Sequence, residues 1–216
     1  MNKMSTTQTS AALVVGFLSI LLIGYLSLGT GEFMYVGAEE NEAGIGLPLG
    51  SDAPEIHARD TLGNQTDLEA LMGSRGLLLV FVRPIEWSDY GQAYLKKLQA
   101  LYKNFQRLGI NIAAISPDAP TVIREYIKET DLQFPLLSDQ EARTVIGYHL
   151  QNKESDNNQG DSETLHPGTY LLNYRGKIVS KYFVENYRKF TDVKLIFNDA
   201  RDLLWHASKD NKTAVK

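Results

Sequence analysis

The residues whose types could do chemistry gather in one run, Phe81-Val82-Arg83-Pro84-Ile85-Glu86-Trp87-Ser88-Asp89-Tyr90-Gly91. A serine hydroxyl there could attack an acyl carbon if a base took its proton. His166, just before Pro167, is a candidate base, with Glu86 or Asp89 to orient it. The structural reading is simpler. Ser is a favoured N-cap, and an acid suits the first turn of a helix, so Ser88-Asp89 reads first as a helix start. Thiol chemistry is excluded outright, because none of the 216 residues is cysteine. That removes disulfides, thiolate nucleophiles and Cys-type zinc sites together. His57, His149, Asp118 and Asp139 fall in no metal-ligand spacing, so no metal and no other cofactor is expected. The net charge is −4 and no basic face is apparent, which argues against nucleic acid as a partner.

The elements that must position these residues can be read from hydrophobic periodicity. Leu77 to Val82 is a continuous apolar run, as in a strand covered on both faces, and Pro84 ends it. Tyr94, Leu95, Leu98, Leu101, Tyr102 and Phe105 then form one helical stripe that Gly109 stops. Ile110 to Ile115 is a second buried strand. A helix follows with Pro120 in its first turn and Val122, Ile123, Tyr126 and Ile127 on its apolar side. Phe134 to Leu137 is extended, and Ser138 or Asp139 caps a brief helix through Ile146. Gln151 to Glu163 is polar throughout and reads as a mobile surface loop. Thr169–Asn173 and Lys177–Phe183 are strands joined by the turn Tyr174-Arg175-Gly176. A last helix spans about Thr191 to His206. The order implies a mixed sheet with helices on both faces, its parallel strands joined by crossovers and its hairpin adding an antiparallel edge.

The N-terminus is of another kind. Ala11 to Leu28 is uncharged and close to the roughly 20 apolar residues that span a bilayer. Lys3 precedes it, while Glu32, Glu39, Glu40, Glu42, Asp52 and Glu55 follow before the first cation, Arg59. Positive charge inside places residues 1–10 in the cytoplasm and the remainder outside. A cleaved signal peptide is the rival reading, but its apolar core is usually about 7–15 residues. The small-residue site Val36-Gly37-Ala38 also lies well past the run. The expected plan is a cytoplasmic tail (1–10), a transmembrane anchor (11–28), a tether (29–49), one α/β domain (50–207) and a polar C-terminal tail (208–216).

The local words along the domain resemble the AhpC/TSA family (alkyl hydroperoxide reductase and thiol-specific antioxidant), the peroxiredoxin-like branch of the thioredoxin fold. From about Leu49 to Phe190 they are Gly50-Ser51-Asp52-Ala53-Pro54, Leu62-Gly63-Asn64 with Asp67-Leu68, and the run from Phe81 to Gly91. Then come Ile115-Ser116-Pro117-Asp118, Phe134-Pro135-Leu136-Leu137-Ser138-Asp139 and His166-Pro167-Gly168-Thr169-Tyr170-Leu171-Leu172. The resemblance implies a thioredoxin-like fold, and it implies peroxide or disulfide reduction by cysteine. Here that cysteine is absent. One alignment sets Trp87-Ser88-Asp89-Tyr90-Gly91 against W-C-x-x-C, so that Ser88 and Gly91 replace both cysteines. The other keeps Pro84 and Ser88 of P-x-x-x-[T/S]-x-x-C and puts Gly91 at the peroxidatic position.

Two further expectations come from the resemblance. Pro167 matches a family proline that is typically cis, and the helix start and this proline segment form two sides of a cleft. That cleft would comprise Trp87, Ser88, Asp89 and Tyr90 against His166, Pro167 and Gly168, and would take a peptide segment, a partner protein or a small ligand. Arg83 and Arg143 are remnants of peroxide-site arginines or, more simply, surface and helix-capping charges. The leading expectation is therefore a redox-inactive binding or support module, held in the inner (cytoplasmic) membrane with its domain on the periplasmic or extracytoplasmic side. The alternative is an antioxidant or oxidoreductase, reducing peroxide or disulfide, whose redox centre is a non-cysteine one or is supplied by a partner, and a serine hydrolase is a third.

Overall fold

The computed structural model describes residues 44–86, 88–151, 165–184 and 189–213, with side chains of the last helix described as far as Leu203. The apolar run 11–28, residues 29–43 of the tether, Trp87 and the polar stretch 152–164 lie outside the described residues. Among the described residues no helix is long and apolar enough to cross a membrane.

The central strand is β1 (Gly76–Phe81), in which every residue is buried. β2 (Ile110–Ser116) runs parallel to it with Leu78 opposite Ile112, and β3 (Leu136–Ser138) runs parallel to β2. On the other side β4 (Gly168–Asn173) and β5 (Ile178–Phe183) are antiparallel, giving the order β3-β2-β1-β4-β5. The unbroken apolar runs follow from this arrangement, since β1 and β2 show neither face to water. This is the mixed sheet that the periodicity predicts.

One face carries three helices, α2 (Asp89–Arg107), α3 (Pro120–Thr130) and α5 (Val193–Thr213). Tyr94, Leu95, Leu98 and Phe105 of α2 bury against Leu78 and Val80, with Ile123, Ile196 and Ala200 filling the same layer. Gly109 follows α2 with φ of +75°, the left-handed conformation that ends a helix cheaply only at glycine. The other face is covered by shorter pieces. These are α1 (Leu68–Leu71), α4 (Arg143–Gly147) and the chain around Ile45, Ile56 and Ala58, packed on Leu77, Leu79, Phe81 and Tyr170. Periodicity misses α1, since four residues are too few to show it; its start is the Asp67 carboxylate accepting from Ala70 N–H at 2.8 Å. α5 extends past the expected His206, as far as Thr213.

The chain from Ile45 to Pro54 is docked on the domain. Ile45 is buried, Leu47 N–H donates to the Tyr170 hydroxyl at 2.8 Å, and Lys181 Nζ donates to Ile45 O at 3.1 Å. Gly50 N–H donates to Ile178 O and Ile178 N–H returns to Ser51 O, so this strap lies along the outer edge of β5 where that strand begins. At the opposite edge Arg59 exchanges both backbone hydrogen bonds with Ser138 of β3, each 2.8 Å.

Candidate functional site

The site is built at the C-terminal ends of β1 and β2, where Val82 to Ser88 connects β1 to α2. Val82 N–H continues the ladder to Ile115 O at 3.0 Å, and Ile85 tucks its side chain inside at 2% exposure. Both backbone groups of Ile85 are held by side chains. Its N–H donates to Asp118 Oδ2 at 2.8 Å, and its carbonyl accepts from Gln92 Nε2 at 2.6 Å. The Ser116 hydroxyl donates to the same Asp118 oxygen, and the Ser138 hydroxyl donates to Asp118 O at 2.7 Å. Ser138 is thus not the cap of α4.

Ser88 is the N-cap that its type predicts, its Oγ accepting from Gly91 N–H at 3.0 Å. Gly91 is buried, and a Cβ placed on it would sit 3.0 Å from Ser88 Oγ and 3.8 Å from Val82 Cβ. The hydroxyl therefore presses against the place where a side chain at position 91 would begin. Ser88 and Gly91, both replaced cysteines in one alignment and the kept hydroxyl and lost cysteine in the other, meet in the first turn of α2. A first-turn N–H that could support an anion is already bonded to a neutral oxygen.

Asp89 and Tyr90 face solvent at the helix start, Tyr90 at 52% exposure. Across from α2, Pro167 and Gly168 are buried and His166 is half-buried. The peptide bond before Pro167 is trans, which corrects the expectation of a cis bond. Leu165 bridges Gln151, and His166 N–H donates to Leu150 O at 2.8 Å, so the chain already arrives extended. No turn requires the rarer isomer, and trans is the default. A Cβ at Gly168 would lie 2.2 Å from the Phe183 ring, so the entry to β4 needs glycine for close packing.

The Ser88 hydroxyl, the nucleophile of the hydrolase alternative, is engaged here as the cap of α2 through Gly91 N–H. α2 and the start of β4 are tied together by Tyr94, whose hydroxyl shares a 3.0 Å hydrogen bond with Thr169 Oγ1 and whose ring stacks on Phe190 at 4.0 Å. Burial holds that phenol protonated far above its usual range. The first turns of α2 are flanked by two hollows. One of about 540 Å³ lies against α3 and is lined by Gln92, Lys96, Gln99, Tyr126 and Glu129. The other, of about 360 Å³, is lined by Tyr90, Lys97, Lys189, Phe190 and Asp192. Arg143 is exposed on α4, and Arg83 is half-buried beside Pro84. Among the described residues no group of three or more His, Asp or Glu side chains could hold a metal.

The N-cap of α4 is Ala142, which makes no side-chain cap, so neither Ser138 nor Asp139 is the cap; Asp139 instead supports the first turn from inside the protein. It is 2% exposed, its Oδ2 accepts from Val145 N–H at 3.0 Å, and its Oδ1 is buried without a hydrogen-bond partner among the described residues. Burial raises its pKa, while the N–H groups of Val145, Thr144 and Arg143 pull it partly back. A raised folded pKa means a contribution that is full below the unfolded value of about 3.9 and is lost as pH rises through the folded value. Compared with Asp139→Asn, the wild-type protein should lose relative stability from pH 4 to pH 7. Urea midpoints that stay parallel across that range would contradict this.

The fold and the loop together define a class, the thioredoxin-like proteins with their reactive position at the start of the helix after the central strand. The AhpC/TSA family profile matches residues 49–181, and the chain belongs to the AhpC/TSA family. Over 164 residues it is 27% identical to the thiol-disulfide oxidoreductase ResA of Bacillus subtilis, covering 74% of this chain and 79% of that protein. A peroxiredoxin-like protein from Aquifex aeolicus superposes with a TM-score of 0.63 at 16% identity, over 74% of this chain and 90% of that one. Peroxidoxin BcpB from Mycobacterium tuberculosis gives 0.62 at 14% identity, over 73% and 97%. These likenesses to solved structures carry the fold. Within the family this chain differs by having no cysteine.

Sequence reasoning undervalued Asp118 and Gln92. Asp118 stood in plain view in Ser116-Pro117-Asp118, directly after a buried strand, where an acid beside a turn commonly bonds backbone N–H groups. Gln92 carried no sequence signal.

Proposed function

We propose that this protein is a membrane-tethered, cysteine-free AhpC/TSA domain that binds an extended segment of a partner protein at the α2 start and performs no redox step. The observation that carries this reading is the Ser88–Gly91 hydrogen bond, which fills the reactive corner with a neutral cap. A serine hydroxyl ionises far above neutrality and has none of sulfur's oxidation states. What persists around it is a binding surface: Tyr90 exposed, two hollows beside α2, and α2 tied to the start of β4 by Tyr94 and Thr169. Tyr and Trp suit such a surface because they combine a large apolar area with a polar handle. The apolar run 11–28 supports membrane attachment with the domain outside the cytoplasm.

The test is co-purification of the full-length chain from solubilised membranes. The wild type should fractionate with membranes and retain a partner that Trp87→Ala and Tyr90→Ala each release, with thermal melting unchanged. Recovery in the soluble fraction would sink the tether. A partner held equally by both variants would sink the cleft.

A further inference from the structure

Ile85, in the β1–α2 loop, has its backbone gripped on both sides by side chains from other elements. Asp118 comes from the β2–α3 connection and takes the N–H at 2.8 Å, while Gln92 comes from the first turns of α2 and donates to the carbonyl at 2.6 Å. The carboxylate is itself fixed, because the Ser116 hydroxyl donates to the same oxygen and Ser138 Oγ holds the Asp118 carbonyl. Ser138 in turn is paired through its backbone with Arg59. A chain of hydrogen bonds therefore crosses the ends of β3, β2 and β1 and finishes on α2, beside Ser88.

We propose that Asp118 and Gln92 are positioning residues that clamp Ile85 and so set the shape of the loop carrying Trp87 and Ser88. The need for such a clamp is physical. Pro84 supplies no N–H, and the loop has left the sheet ladder after Val82. Ile85 is buried, so its polar backbone groups must find partners inside the protein. Neighbouring strands supply none; the side chains of Asp118 and Gln92 do. The clamp assigns these two residues to the shaping of the α2-start surface and rests on the binding reading given above for its biological meaning, though not for its test.

Hydrogen–deuterium exchange of the full-length protein in detergent, read by mass spectrometry on peptides spanning 82–92, is that test. Asp118→Ala should speed exchange at Ile85 and its loop neighbours by about 10- to 100-fold, the loss expected for a hydrogen bond to a charged group. Asp118→Asn, which retains an acceptor oxygen, should recover much of that protection. Peptides from β1 and β2 should stay within about 3-fold of wild type, a local opening rather than a global one. Gln92→Ala should give a smaller effect in the same peptides. Unchanged exchange in Asp118→Ala overturns the clamp, and so does a uniform rise across all peptides or a failure of Asp118→Asn to protect. Retention of the co-purifying partner is scored separately. If no partner exists, the exchange result still decides the clamp; if the clamp fails, Trp87→Ala and Tyr90→Ala still decide the cleft.

Discussion

Wild-type protein incubated with a dithiol donor and hydrogen peroxide, or with insulin, should consume neither substrate above the donor's own background. Gly91→Cys should change this from nothing to a measurable peroxide-reactive thiol. Position 91 lies in the first turn of the 19-residue α2, where the helix dipole and the free N–H groups favour a thiolate. A cysteine there begins 3.0 Å from Ser88 Oγ, so the serine must give by a few tenths of an ångström. Its alkylation should titrate below the ordinary thiol value of about 8.5. Adding Ser88→Cys as well puts two thiols three residues apart on one turn, within the reach of a disulfide. Dithiol-dependent turnover by the wild type would refute the redox-inactive reading. An ordinary titration for the cysteine in Gly91→Cys would show that the helix start no longer favours an anion.

The second large effect concerns the strap. A chain beginning at Gly44 should unfold cooperatively, and one beginning at Glu55 should not. The shorter chain lacks the Leu47 bond to Tyr170, the Lys181 bond to Ile45 and the pairings of Gly50, Ser51 and Ala53 with Ile178 and Gly176. It also lacks the buried Ile45 side chain. At about 1 kcal/mol for each of five hydrogen bonds and roughly 2 for the isoleucine, the loss is of the order of a whole domain's stability, about 5–15 kcal/mol. Urea denaturation followed by circular dichroism measures it. A difference below about 1 kcal/mol would mean that the strap only rests on the domain.

The strap also shows where reading the sequence stopped. β1, β2, α2 and the hairpin were legible because each buries a long stretch and so imprints a period of two or of 3.6, or an unbroken apolar run. Gly44 to Pro54 has no such period. Its order comes from single backbone bonds to residues more than 120 positions away, such as Leu47 to Tyr170, and no local pattern encodes that. The site divides the same way. Ser88 as a cap was legible, since capping needs only residue type and position. The Asp118–Ile85–Gln92 clamp was not, because it joins three elements and one member is an ordinary glutamine on a helix. The trans bond at Pro167 is a third case. Resemblance supplied the expectation of cis, while the extended approach through Leu165 and His166 favours trans.

The pairings at the two margins of the sheet bear on how copies of this molecule can meet. A bare outer strand is a template on which another chain can lay itself, the route by which sheets grow into fibres or merge between molecules. Here Arg59 already occupies Ser138 on the short β3, and Gly50 and Ser51 already occupy Ile178 where β5 begins. A guest strand would have to displace this protein's own backbone at either place. Strand addition is therefore obstructed where β5 begins and at the end of β3, so a second copy could not zip along either margin from those points without first peeling away a segment of its host.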